Sequence, residues 1–238
     1  MTLINTLLSP IQIIRRYTRQ MAPLFWGVSI MPFYIGWSLA SKRILPAYSG
    51  LWLFISSIIA IGPFLGDATI LLNDYWDARY DTGNRRKVGL PLIRGLLKPR
   101  SILYVSLFFF FIACLVAIFI SMLFLLFILS CIILSFLYSA PPFRLKERPV
   151  LDFLTNAIGA GVICTLAGWT IIKPINEFPV LWAFISFFGV GAIYMPTTII
   201  DYEPDISENI STIAVRFGKK RSIIWAWHVS PSLRRWSF

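Results

Sequence analysis

From Ser101 to Tyr138 the chain runs without a charged side chain. That length is enough for two membrane crossings of about 20 residues each, with the turn between them expected near Ser121. Apolar stretches of spanning length recur at 21–40, 50–72, 101–120, 121–138, 153–172 and 180–200. The expected fold is therefore all-α, a polytopic transmembrane helical bundle forming one domain over residues 1–238. It has six spans and a partial seventh starting near Ser222. Residues 226–238 form a doubtful tail, because Pro231, Arg234 and Arg235 interrupt any last helix. With 57% hydrophobic residues, 14% charged residues and a mean hydropathy of +0.73, the composition excludes an ordinary soluble domain.

The loops fix an orientation. Arg15, Arg16 and Arg19 precede the first span; Arg79, Arg85, Arg86, Lys87, Arg94, Lys98 and Arg100 follow the second. Arg144, Lys146 and Arg148 follow the fourth, and Arg216, Lys219, Lys220 and Arg221 the sixth. These 17 cations share one side, against only Lys42, Arg43 and Lys173 on the other. The positive-inside rule places the 17, and the N-terminus with them, in the cytoplasm. The net charge of +11 then reads as loops facing anionic lipid and a phosphorylated ligand rather than nucleic acid. No required protein partner is evident. Cys114, Cys131 and Cys164 lie inside apolar runs and read as inert thiols. The first twenty residues are too polar and broken for a secretory signal, so the first span is expected to direct insertion, with the cell (plasma) membrane the expected destination.

Against this apolar background stands N73DYWDARYD81, directly after the second span. On a continuing helix Asp77 and Asp81 lie one turn apart, Asp74 nearly one turn before Asp77, and Asn73 beside them. A second segment, D201YEPD205, repeats the four-residue spacing after the sixth span, with Pro204 placed to disturb the helix. Crowded carboxylates repel, so either some are protonated or a cation sits among them. Oxygen donors without His or Cys suit Mg²⁺, which shares its coordination with water and phosphate oxygens. A lone DxxxD at a membrane edge reads best as a solvated helix end. Two of them on one face, each beside basic residues, read better as a site.

N73DYWDARYD81 resembles the NDxxDxxxD signature of the UbiA superfamily of intramembrane prenyltransferases, which includes 4-hydroxybenzoate polyprenyltransferase and chlorophyll synthase-like members. D201YEPD205 is similar to that family's second acidic motif, and Y138SAPPFRLKERP149 to its Tyr-containing loop. L151DFLTNAIGAG161 and the STIAVRFGKKRS segment also look typical. The likeness covers roughly residues 15 to 225. It implies a helical bundle around a central cavity capped on the cytoplasmic side. The implied activity is Mg²⁺-dependent transfer of an isoprenyl chain from a polyprenyl diphosphate to an aromatic or other lipid-pathway acceptor. By motif match, Asn73, Asp74, Asp77 and Asp81 would bind Mg²⁺ and through it the diphosphate, and Asp201 and Asp205 a second metal. Tyr138 and Lys146 would contact the diphosphate or help activate the reaction, with Arg144 an extra cation. Asp77, Asp201, Tyr138 and Lys146 are thus the expected catalytic set.

Two features depart from the family pattern. The family usually has nine spans, so the expectation is a chain apparently truncated at its C-terminus. The loop N84RRKVGLPLIRGLL97 lacks the commonest Arg-Pro form. Arg85, Arg86, Lys87 and Arg94 could hold phosphate or simply satisfy topology; Arg85 and Arg94 are carried forward as diphosphate candidates. Arg15, Arg16 and Arg19 read as lipid anchors. Asn156 suits a helix–helix hydrogen bond as well as an acceptor contact, and His228 is assigned nothing. The rival readings are a transporter or divalent-cation carrier and a non-catalytic truncated homologue. A carrier should place its ionisable groups near the bilayer midplane, whereas here they gather at one face.

Overall fold

The structure is a computed structural model that describes residues 10–21, 23–84, 87–207, 210–219 and 221–222. Arg85, Arg86, the expected seventh span beyond residue 222, His228 and the tail 226–238 lie outside the described residues. Among the described residues every regular element is helical. In hydrocarbon a spanning segment has no water to satisfy its backbone, and a helix closes those bonds internally.

An interfacial helix α1 (Pro10–Gln20) comes first, then α2 (Trp26–Ser41), α3 (Tyr48–Asp77), α4 (Pro99–Ile120), α5 (Met122–Ser139), α6 (Leu151–Thr170) and α7 (Leu181–Ile200). Two short helices close the order, α8 (Tyr202–Ser207) and α9 (Ile213–Phe217). Five of these, α3 to α7, are long and apolar enough to cross a membrane. The first expected span is the exception. Pro23 opens a separate short turn, Pro23–Phe25, so α2 begins only at Trp26 and has 16 residues, about 24 Å of helix. The expected turn at Ser121 is present: its backbone is extended between α4 and α5, and its hydroxyl accepts from Phe124 N at 3.0 Å.

The bundle is closed by small residues and hydroxyls. A Cβ added to Gly36 of α2 would meet Thr165 O of α6 at 1.9 Å, and one added to Gly168 would meet Phe33 O at the same distance. The two backbones touch, a close approach that side chains larger than Gly forbid. Between α6 and α7, Thr165 Oγ1 donates to Ser186 Oγ at 2.7 Å. Thr69 and Ser135 join α3 to α5 at 2.9 Å, and Ser106 donates to Ala68 O at 2.7 Å to join α4 to α3. Phe33, Ile61, Leu65, Leu72, Phe110, Phe124 and Ile128 fill the space between them. On the outside, Phe108, Phe111, Ile118, Phe119, Met122 and Leu126 are exposed, the apolar surface expected of helices solvated by lipid rather than water. Both α3 and α6 widen to π-helical geometry in mid-course, at Ala60–Gly66 and Ala157–Ile163. Such widenings release backbone groups and reposition the side chains that follow. After the first comes the acidic end of α3.

Candidate functional site

α3 is mostly apolar but buries one carboxylate past its midpoint, Asp67, which accepts from Trp26 Nε1 at 3.0 Å; in its last turn and a half Asn73, Asp74 and Asp77 emerge. The helix ends at Asp77. Tyr80 N then bonds to Asp77 O at 2.8 Å, and Asp81 opens a separate tight turn, Asp81–Gly83. A continuous helix through Asp81 is therefore not what forms. The four acceptors divide into two pairs, each closed by one lysine. Lys146 Nζ donates to Asn73 Oδ1 at 2.8 Å and pairs with Asp77 Oδ1. Lys87 Nζ donates to Asp74 Oδ1 at 3.0 Å and to Asp81 Oδ2 at 2.6 Å.

The two lysines sit in different fields. Burial pushes the Lys146 ammonium below its ordinary value, against the pull of Asp77. Burial acts on Lys87 in the same sense, but Asp74 and Asp81 outweigh it and raise the ammonium. The Asp81 carboxyl is raised, because burial prevails over the Lys87 charge beside it.

The loop after α5 delivers Lys146 together with Arg144. Arg144 adopts a left-handed backbone, φ 39 and ψ 57, a conformation that is uncommon for a residue with a side chain. Its Nη2 reaches Asp77 Oδ1 at 3.3 Å, its Nε donates to Glu147 Oε1 at 2.7 Å, and its guanidinium lies over the Tyr80 ring at 5.2 Å. Burial would lower the Arg144 guanidinium, but Glu147 and Asp77 outweigh it and raise it. Ser139 Oγ completes this side with a long bond of 3.4 Å to Asn73 Oδ1. On the other side Gln20, itself buried, donates to Asp74 Oδ2 at 2.8 Å and accepts from Leu92 N at 3.0 Å. It ties α1 and the loop before α4 to the acidic end.

The remaining expected residues lie further out. Tyr138 is near the end of α5, its hydroxyl 3.3 Å from that of Tyr194 on α7. Asp201 sits at the break between α7 and α8, and Asp205 one turn into α8, with Asp205 N bonded to Asp201 O at 2.8 Å. Pro204 falls in the first turn of α8, where the missing N–H is not needed. The spacing therefore survives although the helix is interrupted. Thr212 Oγ1 donates to Asp205 Oδ2 at 3.1 Å. Arg94 makes no ion pair with the first acidic segment. It lines a cavity of about 270 Å³ with Gln12, Arg15, Arg16, Arg19 and Leu96.

Gln20, Ser139 and Tyr194 went unread in the sequence, and Lys87 was read only as one of several loop cations. Asp152, within the typical-looking L151DFLTNAIGAG161, also went unread. It is fully buried at the start of α6 and accepts from Ile213 N at 2.9 Å. Only for Lys87 did the sequence carry a signal, the basic run beginning four residues after Asp81.

Among the described residues no three His, Cys, Asp or Glu side chains converge to hold a metal ion. The donors of the first segment are all oxygen, several of them already spoken for by lysines. That set fits a hard divalent cation bound through one or two carboxylates, with water and phosphate oxygens completing its shell.

Residues 20–234 match the model of the UbiA prenyltransferase family. The lycopene elongase/hydratase of Haloferax volcanii is 26% identical over 84% of this chain and 64% of its own length. The 1,4-dihydroxy-2-naphthoate octaprenyltransferase of Bacillus subtilis is 24% identical over 87% of this chain and 64% of its own. The chain thus spans just under two thirds of the length of either relative. A UbiA homologue from Archaeoglobus fulgidus, solved bound to GPP and Mg²⁺, superposes with a TM-score of 0.78 at 25% identity, over 91% of this chain and 74% of its own.

Proposed function

The chain belongs to the UbiA prenyltransferase family, and on that premise we propose that it transfers an isoprenyl chain from a polyprenyl diphosphate to an acceptor within the membrane. The observation that carries this reading is the pairing of Asn73, Asp74, Asp77 and Asp81 with Lys146, Lys87 and Arg144 at one end of an apolar bundle. Acids and cations are interleaved there. The ammonium and guanidinium groups would bind diphosphate oxygens, and the carboxylates they now contact would be the groups to hold a divalent ion. The Archaeoglobus homologue was solved with GPP and Mg²⁺, which supports the same ligand chemistry here.

In this proposal Asn73, Asp74, Asp77 and Asp81 hold Mg²⁺ at the first segment, and Asp201 and Asp205 at the second. Bound there, Mg²⁺ would supply neutralisation of the charge that develops on the departing diphosphate. Lys146 and Arg144 aim fixed positive charge at the same oxygens, which lowers the barrier only insofar as that charge grows in the transition state. Tyr138 would contact the diphosphate or help activate the reaction. The apolar walls keep water from the allylic cation, and aromatic faces stabilise it. Both acidic segments and the N-terminus face the cytoplasm in this reading, supported by 17 loop cations on that side against three on the other.

Membranes carrying the chain, incubated with labelled polyprenyl diphosphates and a panel of aromatic acceptors, should form prenylated product with Mg²⁺ and none without it. No product and no diphosphate release with any donor would overturn the proposal.

A further inference from the structure

Asp152 is fully buried at the start of α6, where a membrane-spanning helix begins. Burying a carboxylate is costly unless hydrogen bonds compensate, and none of the roles proposed above uses this one. Its Oδ2 takes two bonds. Ile213 N, at the start of α9, donates at 2.9 Å, and the Tyr194 hydroxyl of α7 donates at a longer 3.4 Å. Oδ1 has no hydrogen-bond partner, so a single oxygen carries both ties.

Each tie leads to a residue of the proposed site. Tyr194 is 3.3 Å from Tyr138, oxygen to oxygen. The Tyr194 hydroxyl thus lies between the carboxylate and the Tyr138 hydroxyl and helps to fix the Tyr138 oxygen. The second tie fixes the backbone at Ile213. The preceding residue, Thr212, donates its hydroxyl to Asp205 Oδ2 at 3.1 Å. Asp205 and Tyr138 therefore hang from the same buried oxygen, one through the 212–213 backbone and the other through a phenol. Phe153, the next residue on α6, packs with Met195 and Ile213 and keeps this junction dry.

We propose that Asp152 is a positioning residue that sets the second acidic segment and Tyr138 in register with each other. The inference rests on the prenyltransferase reading, and it concerns binding geometry rather than a reacting atom.

The test uses the purified full chain in detergent, Mn²⁺ as a spectroscopic substitute for Mg²⁺, and inorganic pyrophosphate as the diphosphate probe. Electron paramagnetic resonance follows Mn²⁺ binding with pyrophosphate present, and melting is measured without either. Asp152→Ala should raise the half-saturating Mn²⁺ concentration about tenfold, the loss expected for one buried hydrogen-bonding partner. Asp152→Asn retains a carbonyl oxygen for both donors and should stay within about threefold of the parent. Tyr194→Phe cuts only the phenol branch. It should leave Mn²⁺ affinity unchanged and weaken pyrophosphate at saturating Mn²⁺ by about threefold or more.

A purely structural carboxylate would lower the melting temperature of Asp152→Ala and leave Mn²⁺ affinity alone, which overturns the inference. Equal losses in Asp152→Ala and Asp152→Asn overturn it as well. If Asp152→Ala does not fold, unchanged pyrophosphate binding in Tyr194→Phe still overturns the link to Tyr138. A parent chain that binds neither probe brings down the functional reading and this inference together, whereas parent-like binding in Asp152→Ala removes the inference alone.

Discussion

The two acidic segments share a spacing and differ in how they are held. The first is locked by charge: two lysines and an arginine lie against Asp74, Asp77 and Asp81, and Gln20 fixes Asp74 from behind. In the second, Asp205 takes a neutral hydroxyl from Thr212, and the segment's backbone is pinned at Ile213 by Asp152. A charge-locked segment has its geometry set by strong, short contacts to long side chains that can swing away when a ligand arrives. The hydroxyl and backbone bonds of the second segment couple it to the packing of α6, α7 and α9. The difference teaches that loop cations grip the first acidic motif, while hydroxyl and backbone bonds tie the second into the bundle.

The hardest blow to this contrast comes from removing one acid on each side. Asp77→Ala should reduce product formation by about a thousandfold, the upper range for deleting one group that stabilises developing charge. Asp201→Ala should abolish turnover to a similar degree, with both proteins still inserted in the membrane. Chelating divalent metal should do the same to the parent, and added Mg²⁺ should restore it. If Asp77→Ala alone loses activity, the second segment is a structural helix end and the comparison collapses to one site.

Next in size is the division of labour between the lysines. Lys146→Met leaves Asp77 to Arg144 alone and removes the donor nearest Asn73, and pyrophosphate binding should weaken by about a hundredfold. Lys87→Met leaves Asp74 with Gln20 but strips Asp81 of its ion pair. Its main effect should be a loss of about 1–3 kcal/mol in stability, read as a lower melting temperature, because two carboxylates then face each other uncompensated. Equal effects of the two variants on pyrophosphate would show one shared cation pool rather than two assigned pairs.

These assignments mark where sequence reading stops. The spans from α3 to α7 and the turn at Ser121 follow from local features, namely run length and a capping hydroxyl, so they were legible. The shortened α2 was not, because hydropathy does not register that Pro23 starts its own turn. Asp77 and Lys146 were singled out because each lies in a recognisable motif. That they bond to each other is a fact about the loop after α5 folding back onto α3, from 69 positions away in sequence. Gln20 meets Asp74 across 54 positions and sits in a segment with no motif. Asp152 looked like one more polar residue beginning a helix, and only the packing of α9 reveals what its carboxylate holds. The loop of Arg94 turns toward α1, where Arg94 joins Arg15, Arg16 and Arg19 around a separate cavity, a placement that the basic run does not disclose.

The smallest change sharpens the comparison most. Thr212→Val removes one hydroxyl and keeps the shape, so Asp205 loses the donor at its Oδ2 while Ile213 remains pinned to Asp152. A neutral hydrogen bond of this kind contributes about 1 kcal/mol net, so the half-saturating Mn²⁺ concentration should rise by about fivefold, with little change in melting temperature. Thr212→Ser, which keeps the hydroxyl, should restore the parent value. The matching change in the first segment is Ser139→Ala, which deletes a long neutral bond to Asn73 already secured by Lys146, and it should leave Mn²⁺ binding within about twofold. If Ser139→Ala proves as harmful as Thr212→Val, the lysine and arginine contacts are not what fixes the first segment.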